Sequence, residues 1–391
     1  MQIFKRNIIL LILAIVAINS AHAGTWIVAG AAATNNGSTI IAATDEDSQW
    51  NGFFSTNIHG VTALAAEMPG GTMPDPEFAA TEIALRLTDN ATSCSEAILT
   101  ISDILQTAPV GNTYATIAIA DAKEAWIIEY AGKGECGALW AAVRLPDTAT
   151  CVYSGKAMLH KLPQKDYRNC IYSPEIFQYA KQVHKFAGKN VELDFAKCFA
   201  PAKYTEPDNN CELIYSNLYA PTPTERYWRI PNRHVSIYDI AKTLRNQQYS
   251  HAYYSFIADT NSAREDYMRS LIYYAPGSPE LSVFLPIFRN AQAIPNILDP
   301  QQNTPIYSLL DSIENGIKSR QIPMRELRSL QISLEDSISV DVKVALEQIP
   351  EFDDEEIAME LLKDLADIWA QKFAENYKTF IDKYCRNKET E

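Results

Sequence analysis

The chain has 391 residues, a formal net charge of -14 and 34 lysines and arginines that form no basic stripe, which argues against nucleic acid or an anionic membrane as a partner. Its six histidines and seven cysteines make no H-E-x-x-H or C-x-x-C spacing, and no P-loop or G-x-G-x-x-G occurs. The sequence therefore predicts neither a metal site nor a bound cofactor.

The first 23 residues have the three parts of a signal peptide. Lys5 and Arg6 precede an apolar run at residues 8–17, and the A-H-A sequence at residues 21–23 offers a cleavage site. The apolar run is shorter than the roughly 20 residues that a membrane-spanning helix needs. We expect export to the periplasm or the medium, with 24–391 as a soluble mature chain; an uncleaved anchor is the alternative.

Two short strands open the mature chain. The segments TWIVAGA and STIIAAT are joined by TNNG, and Asn36-Gly37 is typical of a tight hairpin turn because glycine accepts a positive φ. An acidic run, D-E-D-S, follows the second segment. The next two segments, PEFAATEIALRLTD and SCSEAILTISDILQ, have the 3.6-residue apolar spacing of helices.

Four further strand patterns follow in TYATIAIAD, EAWIIEYAG, ALWAAVRLP and ATCVYSG. We predict a run of adjacent antiparallel strands over residues 113–155. Their alternation places Trp126 and Trp140 in the core, and Arg144 inside an apolar strand is expected to pair with a carboxylate. Arg144 as a ligand for a substrate carboxylate is the open alternative.

The C-terminal part, residues 297–391, is predicted to be mainly helical. Three amphipathic patterns begin at TPIYSLL, MRELRSL and DEEIAME, and the acidic start of the last one suits a helix N-terminus. The apolar positions keep no strict heptad, so packing on the domain is expected. With no repeat and no low-complexity linker, residues 24–391 are predicted to form one α/β domain.

The order of these segments suggests a reaction class. Cleavage after Ala23 would free an α-amine at the start of a strand, followed by a hairpin, an acidic turn and a stack of antiparallel strands. That layout is typical of an N-terminal-nucleophile hydrolase. In such an enzyme the first side chain attacks an amide carbonyl, and its own α-amine, with a pKa of about 8, is the base.

Four blocks spread over the mature chain carry a family resemblance: GTWIVAGAAATNNGSTIIAATDEDS, then ADAKEAWIIEYAG with LWAAVRLPD, then PGSPELSVFLPIFRNAQAIP, and the C-terminal helices. In them the chain resembles the dipeptidase A family, the N-terminal-nucleophile cysteine dipeptidases that include the secernins. Penicillin V acylase and bile-salt hydrolase are more distantly similar. The resemblance implies a four-layer α-β-β-α sandwich, and a dipeptidase activity on short peptides or related amides.

The sequence departs from the family pattern at the implied site. The family's catalytic cysteine aligns with Gly24, which has no side chain to attack a carbonyl. The expected arginine falls at Thr44, or at Ala43 with another gap, and the carboxylate that orients the amine falls at Asp47, or at Glu46. The asparagine of the oxyanion hole aligns with Ser154, whose shorter hydroxyl can still donate a hydrogen bond.

Three functions remain open from the sequence. The first is a dipeptidase-type hydrolase, the second a pseudo-hydrolase that binds peptides without cleaving them, and the third an interaction protein with a closed cleft. Trimming by one more residue would expose Thr25 as an alternative nucleophile. Adjacent side chains of a strand point to opposite faces, however, so Thr25 would need a compensating bulge to reach the same site.

The cysteines are expected to be buried or disulfide-bonded and not to replace the nucleophile. In an exported protein, Cys136 with Cys151 and Cys198 with Cys211 are plausible local pairs. The odd number leaves at least one cysteine free or intermolecular.

Overall fold

The computed structural model describes residues 25–45, 54–68, 74–134, 137–162, 166–183, 185, 192–205, 209–221, 227–247, 252–291, 294–299 and 304–386. The predicted signal peptide, Gly24, Glu46 and Asp47 lie outside these ranges.

The described strands form two antiparallel sheets. Their bounds are β1 (Trp26–Ala29), β2 (Thr39–Asp45), β3 (Phe54–Thr56), β4 (Thr62–Met68), β5 (Tyr114–Ala120), β6 (Ala125–Gly132), β7 (Ala138–Leu145), β8 (Thr150–Tyr153), β9 (Cys170–Tyr172), β10 (Trp228–Arg229), β11 (Tyr254–Thr260), β12 (Ser270–Pro276) and β13 (Leu285–Phe288). The seven-stranded sheet has the order β10-β8-β1-β2-β11-β12-β13, and the six-stranded sheet has the order β3-β4-β5-β6-β7-β9.

Helices occur between the strands and dominate the C-terminal part. Their bounds are α1 (Ala80–Thr88), α2 (Cys94–Thr107), α3 (Ile176–Gln182), α4 (Phe195–Phe199), α5 (Asn209–Asn217), α6 (Ile237–Arg245), α7 (Pro305–Lys318), α8 (Met324–Gln348) and α9 (Glu355–Ile381). The helices predicted at α1, α2 and α7–α9 are therefore confirmed. Asp354 caps α9 by accepting hydrogen bonds from the first backbone N–H groups, which have no partner inside the helix.

The predicted N-terminal hairpin is confirmed. β1 and β2 pair in antiparallel register with Trp26 opposite Ala43. Gly37 in the connecting turn has a φ of +72°, the conformation that glycine adopts without strain.

The predicted run of neighbouring strands over residues 113–155 is correct for β5, β6 and β7 and wrong for β8. β8 crosses to the other sheet and pairs with β1, while β9 takes the free edge of β7. The crossing is possible because the turn after β7 approaches β1 very closely: a Cβ at Gly30 would lie 2.5 Å from the carbonyl oxygen of Asp147. A side chain at position 30 would block the turn that carries the chain across.

Alternation along the strands divides the core into three hydrophobic clusters. Trp26, Val28 and Ile127 belong to the cluster between the two sheets, which also receives the C-terminal helices. The outer face of the six-stranded sheet packs against α1 and α2 and buries Trp126 and Trp140, as predicted. The outer face of the seven-stranded sheet packs against α5 and α6; Ile27, Ile40, Ile214 and Ile240 lie there.

Candidate functional site

Three of the predicted site positions meet at the start of β1. The backbone N–H of Thr44 donates to the carbonyl oxygen of Thr25 at 3.4 Å. On the other side of β1, Trp26 lies opposite Tyr153, so the same register places Ser154 beside Thr25. Ser255 of β11 lies opposite Thr44. We call Ser154, Thr25, Thr44 and Ser255 the hydroxyl row, which crosses four adjacent strands.

The two ends of the hydroxyl row differ in accessibility. Thr44 and Ser255 are fully buried and share a hydrogen bond of 2.9 Å between their hydroxyl oxygens. Thr25 and Ser154 are half-buried. The hydroxyl of Ser154 lies 3.0 Å from the Sγ of Cys211 on α5. Solvent therefore reaches the half of the row at β8 and β1, and the other half is closed.

The register decides which face of the sheet carries the hydroxyl row. Ile27 and Val152, two residues away along β1 and β8, belong to the cluster under α5 and α6. Trp26 and Tyr153 point to the opposite face, where their rings stack with centroids 4.2 Å apart between the sheets. The row therefore lies on the α5 side of the sheet, and the contact of Ser154 with Cys211 agrees with this placement.

The structure also brings in an acid that sequence reasoning missed. β2 extends one residue further than its predicted pattern and ends at Asp45, which is only 2% exposed. Asp45 lies opposite Tyr254, and burial together with the charge and hydrogen bond of Asp45 raises the pKa of this tyrosine well above its usual value. The available signal was the D-E-D run itself, because its first acid directly follows an alternating strand.

The cysteine placement corrects one sequence expectation. Within the described part of the chain, Cys198 and Cys211 are not joined in a disulfide. Cys198 donates to the carbonyl oxygen of Lys185 at 3.3 Å, while Cys211 contacts Ser154. Cys136 lies outside the described residues. The sequence offered no sign that Cys211 adjoins the site, because the two contacting residues are far apart in the chain.

Arg144 pairs with carboxylates, as predicted. Its Nε lies 2.9 Å from Glu124 and its Nη2 lies 2.7 Å from Asp147. All three residues belong to the strand and turn blocks around β6 and β7. The guanidinium thus ties the hairpin before β6 to the turn after β7.

The described residues contain no group of three or more histidine, cysteine or acidic side chains that could hold a metal ion. Among the same residues, no helix is both long enough and apolar enough to cross a membrane.

Comparison with known proteins shows that the chain is similar to peptidases. The model of peptidase family C69 matches residues 79–271. A protein of Salmonella dublin described as a probable dipeptidase is 23% identical over 230 residues, covering 51% of this chain and 52% of that protein. The chain thus spans about half the length of this curated relative. The chain is a relative of the C69 peptidases, the dipeptidase A family, and the relationship implied by its sequence blocks is confirmed.

Proposed function

We propose that the chain is an exported dipeptidase-type scaffold that binds short peptides or related amides and, with Gly24 in place of the nucleophile, does not cleave them. The observation that carries this proposal is the convergence at the start of β1. Thr25, Thr44 and Ser154 come from three distant segments, yet the sheet register sets them side by side. The family resemblance assigns Thr44 and Ser154 to the site, and Thr25 directly follows Gly24, the position of the family's nucleophile.

The chemistry at these positions favours binding over turnover. An acyl-enzyme intermediate needs a side chain that attacks the carbonyl, and glycine has none. Hydrogen-bond donors for the carbonyl oxygen of a peptide remain in the accessible half of the hydroxyl row. A site that keeps donors and lacks a nucleophile can hold an amide without breaking it.

The three clusters support the finer proposal of a four-layer α-β-β-α sandwich of the N-terminal-nucleophile type. Helices α1 and α2 cover one sheet, α5 and α6 cover the other, and a third cluster fills the space between the sheets. In this arrangement the mature N-terminus would lie at the end of a central strand, because β1 has neighbours on both sides.

A Thr25-dependent hydrolase is the alternative function. Thr25 lies in the half-buried part of the hydroxyl row, which favours access of a substrate to its hydroxyl. Successive side chains of a strand point to opposite faces, so Thr25 and a nucleophile at residue 24 would attack from different directions unless a bulge compensated for the slip of one residue.

Restoring the nucleophile tests the proposal directly. The full-length chain would be expressed with its leader, the mature N-terminus sequenced, and Ala-Ala hydrolysis and binding measured. We expect cleavage after Ala23, binding of Ala-Ala without turnover by the natural protein, and hydrolysis by Gly24→Cys. Gly24→Ala is the matched control, because it adds a Cβ without a thiol, and it should stay inactive.

Other outcomes separate the alternatives. Turnover by the natural protein that disappears in Thr25→Val would establish the threonine nucleophile and overturn the binding-only proposal. Absence of Ala-Ala binding in both the natural protein and Gly24→Cys would favour an interaction protein whose cleft has closed. An intact leader on the secreted or membrane-bound product would contradict the proposed mature chain.

A further inference from the structure

A cavity of about 480 Å³ lies at the end of the seven-stranded sheet, where β11 begins and β12 ends, and the family resemblance gives it no role. Its walls come from Tyr253 just before β11, the segment 277–281 after β12, one face of α7, and Met324 at the start of α8. The four residues of the hydroxyl row do not line it. The volume lies within the range of small-molecule sites, about 300–1,000 Å³. A small organic molecule fits a space of this size.

Buried side chains hold the loop wall of this cavity in place from behind. The side-chain amide of Gln331, which is fully buried on α8, donates to the carbonyl oxygen of Glu280 at 3.0 Å. The hydroxyl of Tyr377, which is fully buried on α9, donates to the carbonyl oxygen of Leu281 at 2.8 Å. These bonds fix the loop before any ligand arrives, which lowers the ordering cost of binding.

The charged lining of the cavity is mostly acidic. Glu314 and Lys318, one turn apart on α7, pair with each other at 2.6 Å. Asp311, on the same face of α7, and Glu280, on the loop, supply two further carboxylates. Three carboxylates and one lysine give the lining a net charge of -2. A lining of this charge attracts a cation and repels an anion.

The carboxylates of Asp311 and Glu280 are available to a ligand. Asp311 is exposed, and within the described part of the chain its carboxylate has neither a hydrogen bond nor an ion pair. Glu280 is half-buried, and Arg328 donates to its backbone carbonyl oxygen at 3.4 Å. Among the described residues, no ion pair engages the Glu280 carboxylate. The nearby charge of Arg328 still offsets part of the attraction of Glu280 for a cation, so we expect Asp311 to contribute more.

Aromatic and apolar side chains complete the lining. Tyr253 is 41% exposed, although its backbone is held on both sides: its N–H donates to the carbonyl oxygen of Asp45 at 2.9 Å, and its carbonyl oxygen accepts from Gly277 at 2.8 Å. Tyr307 and Met324 are half-buried. The face of a tyrosine ring attracts an ammonium group, and a methionine side chain adapts to an apolar body.

We propose that this cavity binds a small organic amine with an apolar body, with the ammonium group at Asp311 and Glu280 and the body against Tyr253 and Met324. The class includes arylalkylamines and branched aliphatic amines. The site needs neither a nucleophile nor the hydroxyl row, so it does not rest on the function proposed above.

Calorimetric titration of the purified protein tests the site with three probes that share a phenyl ring on a two-carbon chain. Phenethylamine carries a positive charge, 2-phenylethanol carries none, and 3-phenylpropionate carries a negative charge. We expect saturable binding of phenethylamine in the millimolar range. 2-Phenylethanol should bind about fivefold more weakly, in line with the worth of solvent-accessible ion pairs, and 3-phenylpropionate should not bind.

Three variants assign the parts of the site. Asp311→Asn should weaken phenethylamine binding about threefold and Glu280→Gln about twofold, because each removes one charge at a solvent-accessible position. Tyr253→Leu keeps an apolar side chain and removes the ring. It should therefore weaken the binding of phenethylamine more than that of 2-phenylethanol, since only the amine interacts with the ring through its charge.

Asp103→Asn is the matched control, because Asp103 is an exposed aspartate on α2, which covers the other sheet. It removes the same charge and should leave the affinity unchanged. Absence of saturable phenethylamine binding at millimolar concentration would overturn the proposal. Equal affinity for the three probes, or equal weakening by Asp311→Asn and Asp103→Asn, would also overturn it.

Discussion

The two sheets of this molecule are built from the chain in different ways. The six-stranded sheet follows the chain order β3-β4-β5-β6-β7 and adds β9 at its edge, so most neighbours are also consecutive in sequence. The seven-stranded sheet has the order β10-β8-β1-β2-β11-β12-β13 and joins the first strand of the chain to segments far from it. The hydroxyl row lies in the second sheet.

This difference explains where a site can form. A meander mainly sets residues of one local segment side by side, as the contacts of Glu129 with Tyr114 and Thr116 show. A sheet with distant neighbours brings together side chains that no local segment contains, as Ser154, Thr25 and Ser255 show. Under the proposed function, we expect the polar groups of the six-stranded sheet to serve packing and the hydroxyl row of the seven-stranded sheet to contact the ligand.

The largest expected effect concerns the buried carboxylate of the six-stranded sheet. Glu129 accepts hydrogen bonds from the hydroxyls of Tyr114 and Thr116 as well as from two backbone N–H groups. Glu129→Ala should lower the free energy of unfolding by about 4 kcal/mol, because it leaves these buried donors without an acceptor. Urea denaturation measures the loss. Glu360→Ala, at an exposed position on α9, is the control, and an equal loss in both variants would contradict the packing role.

A matched pair of threonines tests the comparison between the sheets. Thr44 shares a buried hydroxyl hydrogen bond of 2.9 Å with Ser255 in the seven-stranded sheet, and Thr56 shares one of 3.0 Å with Thr62 in the six-stranded sheet. Each Thr→Val variant should cost about 1 kcal/mol of unfolding free energy. Only Thr44→Val should weaken Ala-Ala binding, by about threefold, because it alone alters the hydroxyl row. Equal affinity of the two variants in calorimetry would remove Thr44 from the site.

The smallest expected effect is a pH dependence of the free energy of unfolding. It comes from His160, which lies in the segment that links β8 of one sheet to β9 of the other. The hydrogen bond to Asp194 raises the pKa of His160, so the folded protein binds this proton more tightly than the unfolded chain does. The stabilisation from His160 is complete below a pH of about 6.5, which is the pKa of histidine in the unfolded chain. It is lost as the pH rises through the higher pKa of His160 in the folded protein.

The side chain of His160 is 41% exposed, so solvent screening limits the contribution to a few tenths of a kcal/mol. In urea denaturation, His160→Gln should therefore lose slightly more stability at pH 5.5 than at pH 9. His234→Gln changes an exposed histidine and serves as the control. A larger loss at the higher pH would reverse the sign and contradict the assignment.

Local sequence patterns predicted the individual helices, strands and turns better than they predicted which strands pair with each other. The turn at Gly37, the period of α1 and α2, and the acidic start of α9 each depend on a few adjacent residues, and the structure contains all of them. β8 was assigned to the wrong sheet because nothing in ATCVYSG distinguishes a partner at β7 from one at β1. Which sheet β8 joins depends on the close approach of Gly30 and Asp147, which are distant in sequence.

The site shows the same limit. Alignment to the family blocks assigned Thr44 and Ser154 to the candidate site, and the sheet register puts both beside Thr25. Cys211 and Ser255 were missed because each reaches the row through tertiary packing, and neither belongs to a motif. Asp45 was missed because β2 was expected to end one residue earlier.

The position of β1 between β2 and β8 has a consequence for the order of folding. The six-stranded sheet closes mostly short loops, whose entropic cost is low, and it can form from residues 54–172. β1 is among the first strands to be synthesised, yet its sheet is complete only when β11, β12 and β13 have arrived. During synthesis the segment around Thr25 is therefore made well before the strands that complete its sheet. We expect the candidate site to be the last part of the molecule to acquire its geometry.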